Sequence, residues 1–187
     1  MPVRHAIALA ALFLVLYLPG LGTTPPLDRD EPRFMQASKQ MLETGDYIDI
    51  RFQEEPRYKK PALIYWMQSA SVTLFAGGDK TAVWAYRLPS VLGAMLAVIF
   101  TYLTAVILTS RPVAIVAAGI LASSILLVAE AHIAKTDAML LAAITAGQYV
   151  LAALYRGEHR RHLFPLFWIA LGAGVMLKGP VALVPAL

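Results

Sequence analysis

Acidic and basic side chains are crowded into the short segment 28–33, directly after a long uncharged run. The six residues are Asp28-Arg29-Asp30-Glu31-Pro32-Arg33. Because charged groups are expensive to remove from water, we expect this segment at the water interface of a membrane. A carboxylate placed there can act as a general base, and an arginine can bind a phosphate through two hydrogen bonds. These residue types suit a reaction between a lipid-borne group and a water-soluble one.

Three other places combine charge with the end of an apolar run. They are Lys59-Lys60-Pro61, Lys135 with Asp137, and Lys178-Gly179-Pro180. Ionisable residues in membrane segments are functional candidates when they face the interior of a helix bundle. If the apolar runs form a bundle, these three places and the segment 28–33 converge on one cavity at the membrane surface.

Each charged residue also has a structural explanation that the sequence leaves open. Asp30 is suited to capping the helix that follows it. Lys60 and Lys178 are suited to reaching phospholipid headgroups with their long side chains. Asp137 is suited to capping the fourth membrane helix or to pairing with Lys135. A functional site is favoured only because all these residues are predicted on the same side of the membrane.

The apolar composition indicates a helical protein that crosses a membrane several times. Hydrophobic residues make up 58% of the 187 residues and charged residues only 15%, which excludes an ordinary soluble domain. A membrane helix needs about 17–25 largely apolar residues. Runs without Asp, Glu, Lys or Arg cover 6–27, 88–110, 112–129 and 138–155, with a shorter run at 163–177. We therefore predict an all-α polytopic membrane protein with membrane helices at these five places.

The last segment, 179–187, is apolar but too short to cross a membrane, and we interpret it as the start of a further helix. On this interpretation residues 1–187 are the N-terminal part of a longer membrane domain. The chain has no Cys, which excludes disulfides and thiolate metal sites, and it shows no spacing typical of metal ligands. We expect no cofactor, although a divalent metal stays open, and no nucleic-acid partner.

The distribution of positive charge predicts how the chain is oriented in the membrane. The N-terminus and the short connections hold five arginines against the single acid Glu158, namely Arg4, Arg111, Arg156, Arg160 and Arg161. The long segment 28–87 instead holds nine basic and nine acidic residues. Since Lys and Arg in short loops favour the cytoplasm, we predict a cytoplasmic N-terminus and an external segment 28–87. The first run has an alternative interpretation as a secretory signal peptide, but it lacks a clear small-residue cleavage site.

The external segment 28–87 is predicted to contain interfacial helices. Phe34, Ala37, Met41 and Leu42 recur at helical spacing, and Gly45 supplies a stop, which predicts an amphipathic helix within residues 30–46.

The rest of this segment is predicted to be a short extended piece, a turn and a second helix. Residues 47–52 alternate between polar and apolar types, and residues 54–56 are typical of a turn. The apolar stretch 62–75 is too short to cross a membrane comfortably and contains Tyr65 and Trp66, so we expect it in the membrane interface.

Several short motifs follow one another along the chain in a recognisable order. They are Asp30-Glu31-x-Arg33-Phe34, Met41-Leu42-Glu43-Thr44-Gly45-Asp46-Tyr47, Tyr58-Lys59-Lys60-Pro61-Ala62-Leu63-Ile64-Tyr65-Trp66, Tyr86-Arg87-Leu88-Pro89-Ser90, Lys135-Thr136-Asp137 and Leu177-Lys178-Gly179-Pro180. In this combination the chain resembles the aminoarabinose transferase and protein O-mannosyltransferase-like group of membrane glycosyltransferases. The resemblance implies the GT-C fold, a transmembrane helix bundle with an external first loop.

The resemblance also implies an activity and a set of site residues. Enzymes of this group transfer a sugar from a polyprenyl-phosphate donor to a lipid (lipid A-like) or protein acceptor at the external face of the bacterial inner membrane. Inversion at the sugar is expected from a single displacement with Asp30 as general base. The site residues that the resemblance implies are Asp30 and Glu31 as catalytic, Arg33, Lys60 and Lys178 as donor phosphate-binding, and Asp137 as supporting.

Two other classes of function stay open. A transporter or flippase-like subunit predicts charges at mid-depth of the helices, whereas the charges here lie at helix ends on one predicted side. A non-catalytic membrane fragment or assembly protein predicts that the chain does not bind a lipid-linked sugar.

Overall fold

The structure, a computed structural model, describes residues 7, 11–13, 15–26, 29–158 and 160–186. Residues 11–13 and 15–17 are helical and residues 18–26 form turns and irregular backbone, whereas positions 6, 8–10, 14 and 27 of the first predicted run, like Asp28, lie outside the described residues. The α-helices after this point are α1 (Glu31–Thr44), α2 (Leu63–Phe75), α3 (Val83–Leu108), α4 (Arg111–Ala122), α5 (Ile125–Ala131), α6 (Asp137–Tyr155) and α7 (Leu163–Lys178).

The amphipathic helix predicted within residues 30–46 is present as α1. Pro32 lies in its first turn, where the missing N–H has no helical partner to lose. Gly45 ends the helix with a positive φ of 72°, and its N–H donates to the carbonyl of Met41. Phe34, Ala37 and Met41 are buried, as the spacing of apolar residues predicts.

The segment between α1 and α2 differs in detail from the prediction. Strands β1 (Arg51–Phe52) and β2 (Glu55–Pro56) form a small antiparallel hairpin, so the predicted turn residues 55 and 56 are extended. The turn begins one residue earlier than predicted, at Gln53, which adopts a positive φ of 59°. Gln40 of α1 stabilises this turn, because its side chain bonds both the N–H and the carbonyl of Gln53 at 2.8 and 2.6 Å. A helix side chain therefore decides where the hairpin turns.

Among the described residues, three helices are long and apolar enough to cross a membrane. They are α3, α6 and the helical segment Leu163–Val184, which includes α7 and part of the 3₁₀-helix Gly179–Ala186. Helix α3 begins at Val83, five residues before the predicted run. The predicted start of a further helix at 179–187 is instead a 3₁₀ continuation of α7 over its described residues.

The predicted membrane run 112–129 is not one straight helix. Helices α4 and α5 meet at an angle of 59°, and together they form a possible fourth crossing. Ser124 has an extended backbone at the break, and its side chain accepts a hydrogen bond from the N–H of Leu127. The hydroxyl of Ser123 donates to the carbonyl of Gly119 at 2.8 Å. Serine side chains that replace backbone partners in this way are a known cause of helix kinks.

The first predicted run, which we call the first segment, and helix α3 form the centre of the largest apolar core among the described residues. Tyr17 is fully buried, and its hydroxyl donates to the carbonyl of Ala122 at 2.7 Å, directly before the kink. Leu21, Val91 and Val98 belong to the same buried cluster. The exit of the first segment is therefore attached to α3 and α4, and this attachment positions the charged residues that follow it.

Helix α3 approaches the start of α6 so closely that Gly93 has no room for a side chain. A Cβ at Gly93 would lie 2.6 Å from the carbonyl carbon of Ala138 and 2.6 Å from the backbone nitrogen of Met139. Backbone atoms cannot rotate away as a side chain does, so the two helices must separate to accept a methyl group.

We expect Gly93→Ala to destabilise the protein by about 1–3 kcal/mol, since overpacking here outweighs the better helix propensity of alanine. The measurement is thermal unfolding of the purified protein in lipid nanodiscs. Gly119→Ala is the matched control, because a Cβ at Gly119 in α4 meets no atom within 4 Å. Equal melting temperatures for the two variants would contradict the close contact.

Candidate active site

Asp30 stands directly before α1, with its side chain about half exposed. Its carboxylate makes no capping hydrogen bond with the helix. Oδ1 of Asp30 lies 3.4 Å from Nη1 of Arg33, and the two side chains are 51% and 42% exposed. An ion pair this long and exposed contributes little to stability. The capping explanation for Asp30 does not hold, and the carboxylate remains within reach of solvent.

Unlike the side chain of Asp30, that of Glu31 is buried and only 1% exposed. It forms a two-pronged ion pair with Arg87 of α3, Nε to Oε1 at 2.8 Å and Nη2 to Oε2 at 3.2 Å. Oε1 also accepts a hydrogen bond from the backbone N–H of Ala134 at 2.9 Å. A carboxylate with both oxygens occupied and no exposure is poorly suited to take a proton from a substrate. This geometry favours a positioning role for Glu31 over the catalytic role that the sequence analysis assigned to it.

Arg87 connects this pair to the end of the first segment. Its Nη1 donates to the carbonyls of Leu21 and Thr24, both at 2.8 Å. Together with Glu31 and Ala134, the guanidinium therefore joins four separate parts of the chain around the residue next to Asp30. Sequence reasoning included Arg87 in a motif but gave it no role. An arginine beside an apolar run needs a buried partner, and this need was the signal in the sequence that could have identified Arg87.

The segment 132–136, which leads into Asp137, is held from several sides. The hydroxyl of Ser90 in α3 donates to the carbonyl of Ile133 at 2.7 Å. The side chain of Gln68 in α2 donates to the carbonyl of Ala134 at 3.2 Å. Along with the bond to Glu31, these contacts place the start of α6 against α1, α2 and α3.

Asp137 and Lys178 form an ion pair between the start of α6 and the end of α7. Nζ of Lys178 contacts Oδ1 of Asp137, and both side chains are about one-third exposed. Lys135 pairs with Glu130 instead, at 3.8 Å. Of the alternatives for Asp137, the pairing with Lys135 is therefore wrong, and the cap position of α6 is taken by Thr136.

Lys60 lies in the half-buried turn between the hairpin and α2. Within the part of the chain that the structure describes, its ammonium group has no hydrogen bond or ion pair with another residue. It differs in this respect from Lys178, whose charge is balanced by Asp137. Lys60 is thus the more readily available of the two lysines for binding an anion.

The predicted site residues lie one to four positions along the chain from members of one small apolar cluster, which we call the junction cluster. Its buried members are Phe34, Ala37, Met41, Ile50, Ile64, Tyr65 and Leu177, with Met139, Ala62 and Leu63 packed against it. Phe34 follows Arg33 directly, and Leu177 precedes Lys178 directly. Met139 lies two residues after Asp137. The structure therefore brings the ends of α1, α2, α6 and α7 together, as the shared position of their charges predicts.

The arrangement combines the accessible carboxylate of Asp30 with several cations at helix ends. Such a carboxylate can accept a proton from a hydroxyl group. Fixed cations can stabilise negative charge that develops on a phosphate, more strongly in a partly dry site than in water. Among the described residues, no three His, Asp or Glu side chains are grouped closely enough to hold a metal ion.

The chain is similar to a known protein family and to curated proteins. Residues 3–187 match the family described as dolichyl-phosphate-mannose-protein mannosyltransferase. Two relatives named undecaprenyl phosphate-alpha-4-amino-4-deoxy-L-arabinose arabinosyl transferase are each 29% identical. The one from Yersinia pestis (strain Pestoides F) aligns over 181 residues and 94% of this chain, and the one from Yersinia enterocolitica over 182 residues and 95%. In both cases the chain spans 32% of the relative's length.

Solved structures of a similar fold also exist. ArnT from Cupriavidus metallidurans in the apo state superposes with a TM-score of 0.82 at 23% identity, over 95% of this chain and 33% of that protein. The same protein bound to undecaprenyl phosphate superposes with a TM-score of 0.77 at 22% identity, over 98% of this chain and 34% of that protein. The expected GT-C membrane fold is confirmed by this likeness.

Proposed function

The chain belongs to the dolichyl-phosphate-mannose-protein mannosyltransferase family, and from this membership we propose that it carries the acid–base and phosphate-binding side of a membrane glycosyltransferase. The donor in this proposal is a sugar on a polyprenyl phosphate, and the acceptor is a lipid or a protein. The relatives are named for 4-amino-4-deoxy-L-arabinose on undecaprenyl phosphate, so a donor of this class is the first to test.

One observation carries the proposal, namely that the segments carrying Asp30, Arg33, Lys60 and the Asp137–Lys178 pair all contribute close chain neighbours of these residues to the junction cluster. These residues come from four helix ends, and their side chains supply a base together with cations. A lipid-linked phosphate needs cations at the depth where membrane helices end. A structural role for each residue separately gives no reason for them to meet.

The proposed reaction is a single displacement at the anomeric carbon. Asp30 accepts the proton of the acceptor hydroxyl, and the acceptor oxygen forms a bond to the anomeric carbon. The bond from that carbon to the donor oxygen breaks, and the polyprenyl phosphate leaves with the electron pair. Arg33, Lys60 and Lys178 stabilise the charge on this phosphate. The sugar is inverted, and no step is assigned to a cofactor.

We also propose where the reaction takes place. The site lies at the external face of the bacterial inner membrane, with the N-terminus in the cytoplasm. The charges in the short connections support this orientation, since Arg111 begins α4 and Arg156 follows α6, away from the junction cluster.

The test is transfer of labelled sugar by the purified protein in lipid nanodiscs. With a polyprenyl-phosphate sugar and an acceptor lipid, we expect the label to appear on the acceptor by mass spectrometry. The control is the same donor and acceptor in empty nanodiscs. A second assay uses the protein reconstituted in liposomes. Movement of unchanged donor across the liposome membrane would indicate the flippase-like alternative. Donor that fails to bind would overturn the proposal.

A further inference from the structure

Arg57 lies in the turn between the hairpin and α2, three residues before Lys60. Its backbone N–H donates to the carbonyl of Ile50 at 2.7 Å, and Ile50 is a buried member of the junction cluster. The backbone of Arg57 is therefore attached to the junction cluster. Neither the sequence analysis nor the proposed reaction gives this residue a role.

The guanidinium of Arg57 is held between two aromatic rings. Its central carbon lies 5.3 Å from the centre of the Phe34 ring and 5.7 Å from that of Phe52. Nε donates a hydrogen bond to the hydroxyl of Tyr65 at 2.9 Å. These three contacts fix the plane and the direction of the guanidinium before any ligand binds, which reduces the entropy lost on binding.

The charge of Arg57 is not balanced by a carboxylate. Other arginines of this region have such a partner, Arg33 with Asp30, Arg51 with Asp49 and Arg87 with Glu31. Arg57 forms no ion pair with any residue that the structure describes. Burial raises the pKa of the Tyr65 hydroxyl, so this partner is neutral and accepts a hydrogen bond without removing charge.

The edge of the guanidinium formed by Nη1 and Nη2 remains available for a ligand. Nε is occupied by Tyr65, and the Nη1 and Nη2 groups have no acceptor among the described residues. A half-buried, oriented arginine with both Nη groups available is suited to binding two oxygens of one phosphate. Its ring partner Phe34 is adjacent to Arg33, which places this charge beside the candidate donor site.

We propose that Arg57 binds the phosphate of the lipid-linked donor through its Nη groups, alongside Lys60. The ligand class is a phosphate ester carried on a polyprenyl lipid. This inference rests on the proposed function, because it assigns a further phosphate-binding residue to the same site. It adds a binding residue that the order of motifs along the chain does not indicate.

The test is the affinity of the protein in phosphatidylcholine nanodiscs for polyprenyl phosphate. We expect Arg57→Gln to weaken binding by about tenfold to a hundredfold, since it removes charge-assisted hydrogen bonds. Arg57→Lys is expected to lose less, because it keeps the charge but not the two-pronged geometry. Arg57→Met keeps an apolar stem against the rings, so a Met variant that melts like wild type tests the charge separately from the fold.

Arg51→Gln is the matched control, because Arg51 lies in the hairpin that precedes Arg57 and is already paired with Asp49 at 2.8 Å. Its affinity for polyprenyl phosphate is expected to equal that of wild type. Wild-type affinity in a folded Arg57→Met or Arg57→Gln variant would overturn the inference. A defect found only when the nanodiscs contain phosphatidylglycerol would also overturn it, because Arg57 would then bind bilayer headgroups.

The result also separates this inference from the proposed function. If the wild-type protein binds polyprenyl phosphate and transfers sugar while the Arg57 variants bind equally well, only the role of Arg57 is lost. If the wild-type protein itself does not bind polyprenyl phosphate, both proposals fail.

Discussion

Replacing Asp30 by Asn is expected to lower the rate of sugar transfer by about 10²–10⁴-fold, the usual contribution of a general base. Asn has nearly the same shape and is a good residue before a helix, so α1 should be undisturbed. The contact of Asp30 with Arg33 is exposed and 3.4 Å long, so its loss should affect the fold little. The expected result is a large loss in rate with nearly unchanged affinity for the donor.

The measurement is the rate of transfer under single-turnover conditions, together with the binding of polyprenyl phosphate. Glu43→Gln is the matched control, since Glu43 is a carboxylate near the other end of the same helix, and its one ion pair within the described part of the chain is with Lys39 at 3.9 Å. We expect this control to transfer sugar like wild type. Normal transfer by the Asp30→Asn enzyme is the result that would remove Asp30 from the mechanism.

Replacing Arg87 by Leu is expected to have the largest effect on stability, about 3–5 kcal/mol. The change leaves the Glu31 carboxylate buried without its cation, and it removes the donor from the carbonyls of Leu21 and Thr24. A buried charge without a partner is far more costly than an exposed one. We expect a strongly lowered melting temperature and loss of transfer, because the segment that carries Asp30 loses its attachment to α3.

A double variant separates the pair from a general effect of mutation in the core. Arg87→Met combined with Glu31→Leu removes both charges, so it should melt at a higher temperature than Arg87→Leu alone. Arg51→Gln is again the control, because it breaks an exposed arginine–carboxylate pair and should leave the melting temperature unchanged. A double variant less stable than Arg87→Leu would show that the buried pair is not the reason for the loss.

Much of the fold follows from patterns between near neighbours in the chain. The long apolar runs around α3 and α6 predict membrane helices, because burial in lipid depends on length and composition and needs no knowledge of a partner. Phe34, Ala37 and Met41 predict the buried face of α1 for the same reason, since helical spacing alone puts them on one side. These predictions hold with shifts of a few residues at the helix ends.

Departures from the sequence prediction occur where side chains distant in the chain compete with local preference. The hairpin turns at Gln53 because Gln40 of α1 bonds its backbone, and the run 112–129 bends at Ser123 and Ser124. Serine is common in straight helices, so its presence alone does not predict a kink. The hydrogen bond from Tyr17 to the carbonyl of Ala122 shows that the neighbouring helix stabilises this bend.

For the candidate site, residue types and their positions beside apolar runs predicted which charged groups stand at helix ends and what chemistry they suit. Which of these groups meet depends on how the helices pack. Lys135 is two residues from Asp137, but it lies 3.8 Å from Glu130, and Asp137 pairs with Lys178 from another helix. In the same way Glu31 is taken into a buried pair with Arg87, while Asp30, one residue earlier, stays accessible. The physical reason is that ion pairs act over a few ångströms, and the rotation and packing of helices set these distances.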